Sequence, residues 1–356
     1  MRHLRRYDRM FIRRYYATFA PGLEEPVEAI VKERLPGVKI QKLLEGAVIF
    51  ETSTGYDRFD FCCFNNIFAV VSILEAPGPE RALENHIRFL CSRRKTEPVI
   101  AENADLPAKA RSFRIICSLE NRLTAVDEKT RAAAERYIAE RSGLAVNRSR
   151  PGAEFWFLYR REGFSICMKR LTRRGSFEKT LHPGELPPPL AYTLCRLSEP
   201  RPADIVADPF CGYGSILEQR VKHFPLARFY ASDIDRRAVD FARKKITGPL
   251  LDRCHIRRID MRDIFSVIPE GSVDRIITDP PWGMYAETPV PIGQFYGDMI
   301  AVFGRLLKRG GAAVVLTARG EELTQAAEQS GVLSITKVIP ILVSGKKARV
   351  TLLRRE

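Results

Sequence analysis

The sequence lacks any arrangement of cysteine and histidine that is typical of a metal site. Its eight cysteines are scattered between Cys62 and Cys254, no C-x-x-C pair occurs, and the five histidines are dispersed. Zinc and iron–sulfur sites need closely spaced thiolates or imidazoles, so the sequence predicts no metal. Most of the cysteines lie in apolar runs, which is typical of reduced core residues, and we therefore expect a cytoplasmic protein.

Long apolar runs are also missing. No stretch reaches the roughly 18 apolar residues of a membrane span, so we expect no membrane segment. The arginine-rich N-terminus, Arg2 to Arg14, has no apolar run behind it and does not resemble a secretory signal. We interpret it as a basic arm that could contact phosphates.

The charge balance is strongly basic, with a net charge of +15 and a pI of about 9.6. Residues 1–180 contain 33 Lys and Arg against 23 Asp and Glu, whereas residues 181–356 contain 25 against 20. Such a field favours a polyanionic partner, although surface charge that only aids solubility is the alternative. The first half is the better candidate for a nucleic-acid surface.

The first half of the chain has the pattern of two small α+β modules. In residues 1–60, a strand-like run is followed by a helix and two further strands, which is a ferredoxin-like order. Residues 61–180 contain further helices and a hairpin. The predicted elements are Tyr15–Ala20, Leu23–Leu35, Val38–Leu43, Gly46–Thr52, Arg81–Arg94, Phe113–Cys117, Val126–Ser142, Glu154–Tyr159 and Phe164–Lys169.

From the proline-rich linker at residues 181–191 onward, strands and helices alternate, which indicates a parallel sheet with crossover helices. The predicted strands are Ile205–Asp208, Ala227–Ser232, His255–Ile259, Val273–Thr278, Ala312–Leu316, Leu333–Ile339 and Arg349–Leu353. The predicted helices are Leu190–Leu197, Ser215–Lys222, Arg236–Lys245, Gln294–Leu307 and Glu321–Gly331. The fold class is therefore α/β over residues 181–356.

One turn combines a carboxylate, two prolines and an aromatic ring: Asp279, Pro280, Pro281 and Trp282, directly after an apolar strand. Proline has no N–H and restricts the residue before it to extended conformations, so backbone carbonyls remain free to accept hydrogen bonds. These groups together suit a planar ligand with N–H donors, such as the amino edge of a nucleobase. Taken alone, the motif is equally compatible with a proline-rich turn beside a core tryptophan.

A glycine-rich turn from Asp208 to Gly214 follows the first strand of this sheet, and includes Phe210. Gly212 and Gly214 allow a tight turn and close approach of a ligand. Position 217 is leucine, so the third glycine of a dinucleotide fingerprint is absent. Asp208 would repel a phosphate but bind the ammonium of an amino acid, which S-adenosyl-L-methionine provides.

Acidic residues also end the next two strands. Asp233, followed by Ile234, is placed to accept hydrogen bonds from ribose hydroxyls, and Asp260, followed by Met261, from an adenine amine. A single acid at a strand end is usually a helix N-cap, and Asp235 fits that interpretation. Three in register after a glycine-rich turn predict a site for S-adenosyl-L-methionine.

These motifs resemble those of class I amino-methyltransferases, and the chain as a whole resembles the THUMP-domain RNA methyltransferases that act on guanine N2 in tRNA. The resemblance is strong after residue 186 and weak before it. It implies a Rossmann-like seven-stranded sheet at 181–356, preceded by a ferredoxin-like segment at 1–60 and a THUMP-like domain at 61–180. Tyr213, Ser215 and Trp282 depart from the commoner residues of that family.

The resemblance implies a tRNA methyltransferase in which Asp279 and the Pro280 carbonyl hold the amine hydrogens, Pro281 shapes the turn, and Trp282 stacks on the base. Methylation of adenine N6 in RNA or DNA is an alternative, because the same turn suits either amine. A non-catalytic RNA-binding factor that kept the sheet is a second alternative. We expect a monomer.

A run of cations at the end of the predicted hairpin is the candidate RNA contact. It contains Lys169, Arg170, Arg173 and Arg174. Cations on a strand end and loop can follow a phosphate backbone, although a solvated sheet edge is the simpler interpretation.

Overall fold

The computed structural model of the protein describes residues 12–56, 62–102, 110–172, 181–283 and 290–356. The chain divides into two compact units. The first comprises the described residues of Met1–Thr18 and Glu28–Arg174, and the second those of Phe19–Val27 and Gly175–Glu356.

The first unit is built on a mixed nine-stranded sheet. Its strands are β1 (Arg13–Thr18), β2 (Lys39–Leu44), β3 (Ala47–Thr52), β4 (Asn66–Glu75), β5 (Ser112–Leu119), β6 (Arg122–Thr124), β7 (Ala145–Val146), β8 (Ala153–Arg160) and β9 (Phe164–Arg170). The helices in this half of the chain are α1 (Glu24–Arg34), α2 (Ala82–Ser92), α3 (Pro98–Ala101) and α4 (Glu128–Ser142). The sheet order is β2-β3-β1-β4-β9-β8-β5-β6, with β7 beside β5.

Strand β4 lies at the centre of this sheet, between β1 and β9, and the sequence prediction omitted it. Six successive residues, Ile67–Ser72, are buried. A strand that is buried on both faces does not alternate between polar and apolar residues. The sequence pattern of such a continuous apolar run cannot distinguish a strand from a buried helix.

A buried histidine lies within the first unit. His86 of α2 is completely buried, and its two ring nitrogens are each 2.8 Å from a serine hydroxyl, Ser72 on β4 and Ser165 on β9. Burial lowers the pKa of His86 to about 4. The neutral imidazole is therefore the form that the folded unit retains at physiological pH.

The second unit contains a seven-stranded sheet in the order β12-β11-β10-β13-β14-β16-β15. Its strands are β10 (Ile205–Asp208), β11 (Arg228–Asp233), β12 (Cys254–Arg258), β13 (Val273–Thr278), β14 (Leu307–Thr317), β15 (Leu333–Val343) and β16 (Lys346–Arg355). Neighbouring strands are parallel from β12 to β14, whereas β16 is antiparallel to both β14 and β15. The predicted Rossmann-like seven-stranded sheet is thereby confirmed.

Among the described residues of this half of the chain, five α-helices, the first of which precedes β10, and two 3₁₀ helices accompany these strands. The helices are α5 (Pro188–Leu197), α6 (Ser215–His223), α7 (Arg236–Lys245), α8 (Ile292–Leu306) and α9 (Gly320–Ser330). The 3₁₀ helices, Gly248–Arg253 and Met261–Ser266, were not predicted. They flank β12, and such short turns carry no helical period for a sequence pattern to reveal.

The segment Phe19–Val27 belongs to the second unit through the turn at Pro21 and Gly22. The Leu342 N–H of β15 donates to the Pro21 carbonyl at 3.1 Å. A Cβ on Gly22 would lie 2.0 Å from the Pro340 carbonyl oxygen, so no larger residue fits. The Pro-Gly turn of the sequence is thus a close backbone contact with β15.

None of the helices among the described residues is long and apolar enough to cross a membrane.

We predict that the first unit loses stability in acid through His86. Its folded pKa of about 4 lies below the ordinary value of 6.5, so the unfolded chain binds more protons between these values. Stability is full above pH 6.5 and falls as the pH drops towards 4, by about 3 kcal/mol at most.

Trp156 of β8 reports on this unit once Trp282 is replaced by phenylalanine, because the chain has only two tryptophans. Urea unfolding followed by Trp156 fluorescence at pH 7 and pH 5 measures the effect. His86→Gln in the same background should remove the dependence between pH 7 and 5. A dependence that survives this substitution would contradict the prediction.

Candidate active site

Four carboxylates lie at one edge of the seven-stranded sheet. Asp208 and Asp233 are the last residues of β10 and β11, and Asp260 and Asp279 follow β12 and β13 closely. Because these four strands are parallel, their carboxyl ends share an edge, which is where open α/β sheets bind ligands. The structure therefore brings together the acids that the sequence predicted as one site.

Asp208 is a buried acid with one unpaired oxygen. Its Oδ1 accepts hydrogen bonds from the Thr278 hydroxyl at 2.7 Å and the Phe210 N–H at 3.2 Å, whereas no described residue donates to its buried Oδ2. Burial raises the pKa of Asp208 to about 7, and the negative charge of Asp233 adds to this. An unpaired buried carboxylate oxygen is costly unless a ligand donates to it, so Asp208 is suited to bind a cation.

The glycine-rich turn brings backbone close to this acid. Gly212 and Gly214 both have positive φ, and the Gly212 N–H donates to Asp233 Oδ2 at 2.8 Å. Gly214 is the N-cap of α6, so the free N–H groups of that helix face the turn. A Cβ on Gly212 would meet nothing within 4 Å, which leaves open space above the turn.

Asp233 has both carboxylate oxygens on backbone donors, because Oδ1 accepts from the Asp235 N–H at 2.9 Å. Burial raises its pKa. Ile234 presents an apolar side chain that is 59% exposed, as a ligand-packing residue would. Asp235 accepts from the Arg237 N–H at 2.8 Å and is the N-cap of α7, as predicted.

Asp260 and Met261 follow β12 and begin the second 3₁₀ helix. Asp260 accepts from the Arg262 backbone N–H and forms an ion pair with its guanidinium at 2.7 Å, which lowers the pKa of Asp260. The Met261 side chain is 3% exposed and lies in the core of the unit. Asp260 is thus already paired in this structure, and its predicted contact with adenine stays a prediction.

The proline turn after β13 presents free acceptors. Asp279 Oδ1 accepts from the Trp282 indole N–H at 2.8 Å, and no described residue donates to its Oδ2 or to the Pro280 carbonyl. Desolvation raises the pKa of Asp279 to about 8, and the nearby charge of Asp208 adds to this. The turn thus offers two adjacent acceptors to a ligand that carries two N–H groups.

Residues that the sequence analysis missed hold this turn in place. The Arg319 guanidinium donates to the Trp282 carbonyl at 2.8 Å, and the Tyr296 hydroxyl donates to the Pro281 carbonyl at 3.3 Å. Tyr296 also lies 2.5 Å from the Thr317 hydroxyl. Tyr296 is fully buried. Thr317 ends β14 at the same sheet edge, and this position at a strand end could have identified it as a site residue.

The predicted RNA-contacting residues are corrected in part. Lys169 is 1% exposed, and its ammonium donates to the Glu102 carbonyl, so this side chain presents no surface to a phosphate. Arg170 is partly exposed and pairs with Glu154 at 3.1 Å. Arg173 and Arg174 lie outside the described residues.

Among the described residues, no group of three or more His, Cys, Asp or Glu side chains is arranged to hold a metal ion.

Comparison with known proteins shows what this chain resembles. Residues 176–347 match the model of the family described as UPF0020: RMKL-like, methyltransferase domain. The resemblance to THUMP-containing guanine-N2 methyltransferases is confirmed by curated relatives.

The relatives align over part of their length. A tRNA (guanine(6)-N2)-methyltransferase of Thermus thermophilus is 32% identical over 55% of this chain and 59% of its own. A tRNA (guanine(10)-N2)-dimethyltransferase of Methanothermobacter thermautotrophicus is 35% identical over 30% of each chain. The chain therefore spans less than two thirds of the length of each of these proteins.

The similarity of fold extends further than that of sequence. The crystal structure of TrmN from Thermus thermophilus superposes with a TM-score of 0.78 over 97% of this chain and all of that chain, at 23% identity. The crystal structure of SMU.472 complexed with SAH gives a TM-score of 0.70 over 97% and 98% of the two chains, at 15% identity.

We predict that the two glycines of the turn differ in their tolerance of a side chain. A Cβ on Gly214 would lie 2.9 Å from the Ala242 Cβ of α7, whereas one on Gly212 meets open space. Both positions have positive φ, so alanine is strained at each. Gly214→Ala should lower the free energy of unfolding by about 2–4 kcal/mol and Gly212→Ala by about 1–2 kcal/mol.

Denaturant unfolding followed by Trp282 fluorescence, in a Trp156→Phe background, compares the two variants in the second unit. Equal losses would show that the contact between α6 and α7 does not require glycine at position 214.

Proposed function

We propose that this protein is an S-adenosyl-L-methionine-dependent tRNA methyltransferase that methylates guanine N2. One observation carries the proposal, the pairing of two sets of free acceptors at the ends of neighbouring strands. Asp208 has an unpaired buried oxygen, and the turn at Asp279 has two unpaired acceptors. The hydrogen bond between Asp208 and Thr278 joins the two strand ends. The names of the relatives support the choice of guanine N2 and of tRNA.

The glycine turn and the acids beside it fit S-adenosyl-L-methionine, which would supply an electrophilic methyl group on its sulfonium. Asp208 Oδ2 would accept from the ammonium of the amino acid moiety, satisfying the unpaired oxygen. Gly212 leaves open space for it above the turn, whereas Gly214 lets α6 pack closely on α7, and Phe210 lies in the same turn. Asp233 retains lone pairs for the ribose hydroxyls, since a carboxylate accepts up to about four hydrogen bonds.

The adenine would lie against the side chains that follow β11 and β12. Ile234 is exposed and apolar, which suits packing against a ring face. Asp260 and Met261 would border the ring edge. The roles of these three residues, like those of Asp208 and Asp233, are inferred from their placement at the sheet edge.

The turn at Asp279 would hold the acceptor base. The Asp279 carboxylate and the Pro280 carbonyl would accept the two amine hydrogens, which directs the nitrogen lone pair at the methyl group. Positive charge grows on that nitrogen as the new bond forms, and the carboxylate stabilises it. With a pKa of about 8, Asp279 is also suited to take the proton afterwards.

Trp282 and Pro281 would shape the pocket around the base. The indole N–H is held by Asp279, so the ring is fixed beside the carboxylate and can stack on a base, worth about 1–3 kcal/mol. Arg319 and Tyr296 would act as positioning residues, because they hold the carbonyls of Trp282 and Pro281.

The basic first unit would supply the RNA-binding surface, with a division into a ferredoxin-like segment at 1–60 and a THUMP-like domain at 61–180. Residues 1–180 carry two thirds of the net charge. Arg170, Arg173 and Arg174 remain candidates for phosphate contact. A cytoplasmic monomer that acts on tRNA is the arrangement we propose.

The decisive experiment is to incubate the purified protein with labelled S-adenosyl-L-methionine and total tRNA, then digest the RNA and separate the nucleosides. We expect label in N2-methylguanosine. If N6-methyladenosine alone carries label, the target base is adenine and the proposal of guanine is wrong. RNA without label would refute the methyltransferase proposal.

We predict that Asp279→Asn retains donor binding but loses methyl transfer. Asparagine keeps an oxygen for the Trp282 N–H but carries no charge, so the single-turnover rate should fall by about 10²–10³-fold. The dissociation constant for S-adenosyl-L-methionine should rise by about tenfold at most, which is far less than the loss of rate. Asp263→Asn is the matched control, since Asp263 is an exposed acid of the same unit. An Asp279→Asn rate equal to that of the control would remove Asp279 from the mechanism.

A further inference from the structure

A small cavity lies beside strands β11 and β12 of the second unit, and none of the four acids is among its lining residues. Its volume is about 190 Å³. It is lined by Tyr230, Ala231, Ser232, His255, Arg257, Val267 and Ile268. It falls below the roughly 300–1,000 Å³ of sites for larger small molecules, so it fits a compact group.

Strand register explains why its polar side chains converge. Tyr230 is aligned with His255 and Ser232 with Arg257 in the parallel pair β11–β12. Alternate residues of a strand share a face, so all four side chains lie on one face of the sheet. The Tyr230 and His255 rings stack with centroids 5.1 Å apart.

The cavity is bordered by cations without acidic partners. Arg257 is exposed, and no described residue pairs with its guanidinium. Arg228 donates to the Tyr230 hydroxyl at 3.2 Å and has no ion pair with any described carboxylate. Burial lowers the pKa of His255, and the charges of Arg228 and Arg257 lower it further, so the local field is positive.

Ser232 adds an unsatisfied donor to this field. The side chain is 4% exposed, and its hydroxyl has no hydrogen-bond partner among the described residues. A buried hydroxyl without a partner is costly, so a ligand that accepts from it is favoured. An arginine, a serine hydroxyl and a positive field around a small cavity match the chemistry of a phosphate group.

We propose that this cavity binds a backbone phosphate of the RNA substrate. The choice of RNA as the source of the phosphate rests on the proposed function. S-adenosyl-L-methionine is not the ligand of this cavity, because it carries no phosphate and the glycine turn already provides its site. Arg257 would contact the phosphate oxygens directly, Ser232 would donate from the cavity floor, and Arg228 would hold Tyr230 in place. RNA would then contact the catalytic unit at the edge strand β12 as well as at the acids.

The test compares Arg257→Gln with Arg309→Gln in the full-length protein. Arg309 is another exposed arginine of the second unit, near the start of β14, so both variants lose one charge. Affinity for total tRNA is measured at several salt concentrations. We expect Arg257→Gln to weaken binding about 5- to 10-fold at 0.1 M salt and to reduce the slope of log affinity against log salt by about one, whereas Arg309→Gln should change neither.

Ser232→Ala gives an independent readout, because it removes the hydroxyl without a charge. We expect weaker tRNA binding with an unchanged salt slope and an unchanged dissociation constant for S-adenosyl-L-methionine. Inorganic phosphate at millimolar concentration distinguishes the two sources of the group. If it raises the melting temperature of the wild type but Arg257→Gln keeps the wild-type salt slope, the cavity is a site for free phosphate and the RNA assignment is overturned.

If the two arginine variants show equal slopes of log tRNA affinity against log salt, and phosphate does not change the melting temperature of the wild type, the proposed phosphate site is overturned altogether. Neither result touches the proposed function, which the labelled nucleoside of the wild type decides. Conversely, a protein that binds RNA without methylating it would refute that function, and the two slopes would still test the phosphate site.

Discussion

The hydrogen bond from the Thr278 hydroxyl to Asp208 is the interaction on which the rest of the site depends. It joins the ends of β10 and β13 at 2.7 Å, and Asp279 is the next residue along the chain. Because β10 and β13 are adjacent parallel strands, this bond fixes the distance between the acid of the glycine turn and the acid of the proline turn. A transfer between two bound groups requires that kind of fixed separation, since small misplacement of reacting atoms is costly in rate.

The same geometry makes the ligand-free site unfavourable for charge. Desolvation raises the pKa of both Asp208 and Asp279. The charge of Asp233 raises the pKa of Asp208 further, and the charge of Asp208 raises that of Asp279. Perturbed carboxyls of this kind cluster at functional sites, where a cationic ligand relieves the penalty. Two positive charges on S-adenosyl-L-methionine, an ammonium and a sulfonium, would favour the ionised acids. Binding of the donor would in this way prepare Asp279 to accept the hydrogens of a base amine.

Much of this arrangement could be predicted from sequence because it is local. The bounds of β10, β13 and α7 match the prediction, and acids at successive strand ends must share an edge in a parallel sheet. The contacts of Arg319 and Tyr296 could not be predicted in this way. They join residues 15 and 37 positions apart, and nothing in the local pattern of either residue indicates a carbonyl partner.

The error at Lys169 has a physical cause as well. The run of cations was interpreted as an RNA contact on a strand end and loop, but β9, which contains Lys169, lies between β4 and β8 in the interior of the sheet. A lysine there is buried unless its side chain reaches the surface, and Lys169 donates to a backbone carbonyl instead. The omission of β4 contributed to this error, since β4 pairs with β9 and makes it an interior strand of the sheet.

The central claim, that donor binding ionises buried carboxyls, is tested most directly by calorimetry of S-adenosyl-L-methionine binding at pH 7 in buffers of different ionisation enthalpy. With pKa values of about 7 for Asp208 and about 8 for Asp279 in the free protein, we expect net release of on the order of one proton per donor bound. The release should be smaller in Asp279→Asn, which retains only Asp208. Binding without proton release, or with proton uptake, would contradict the claim.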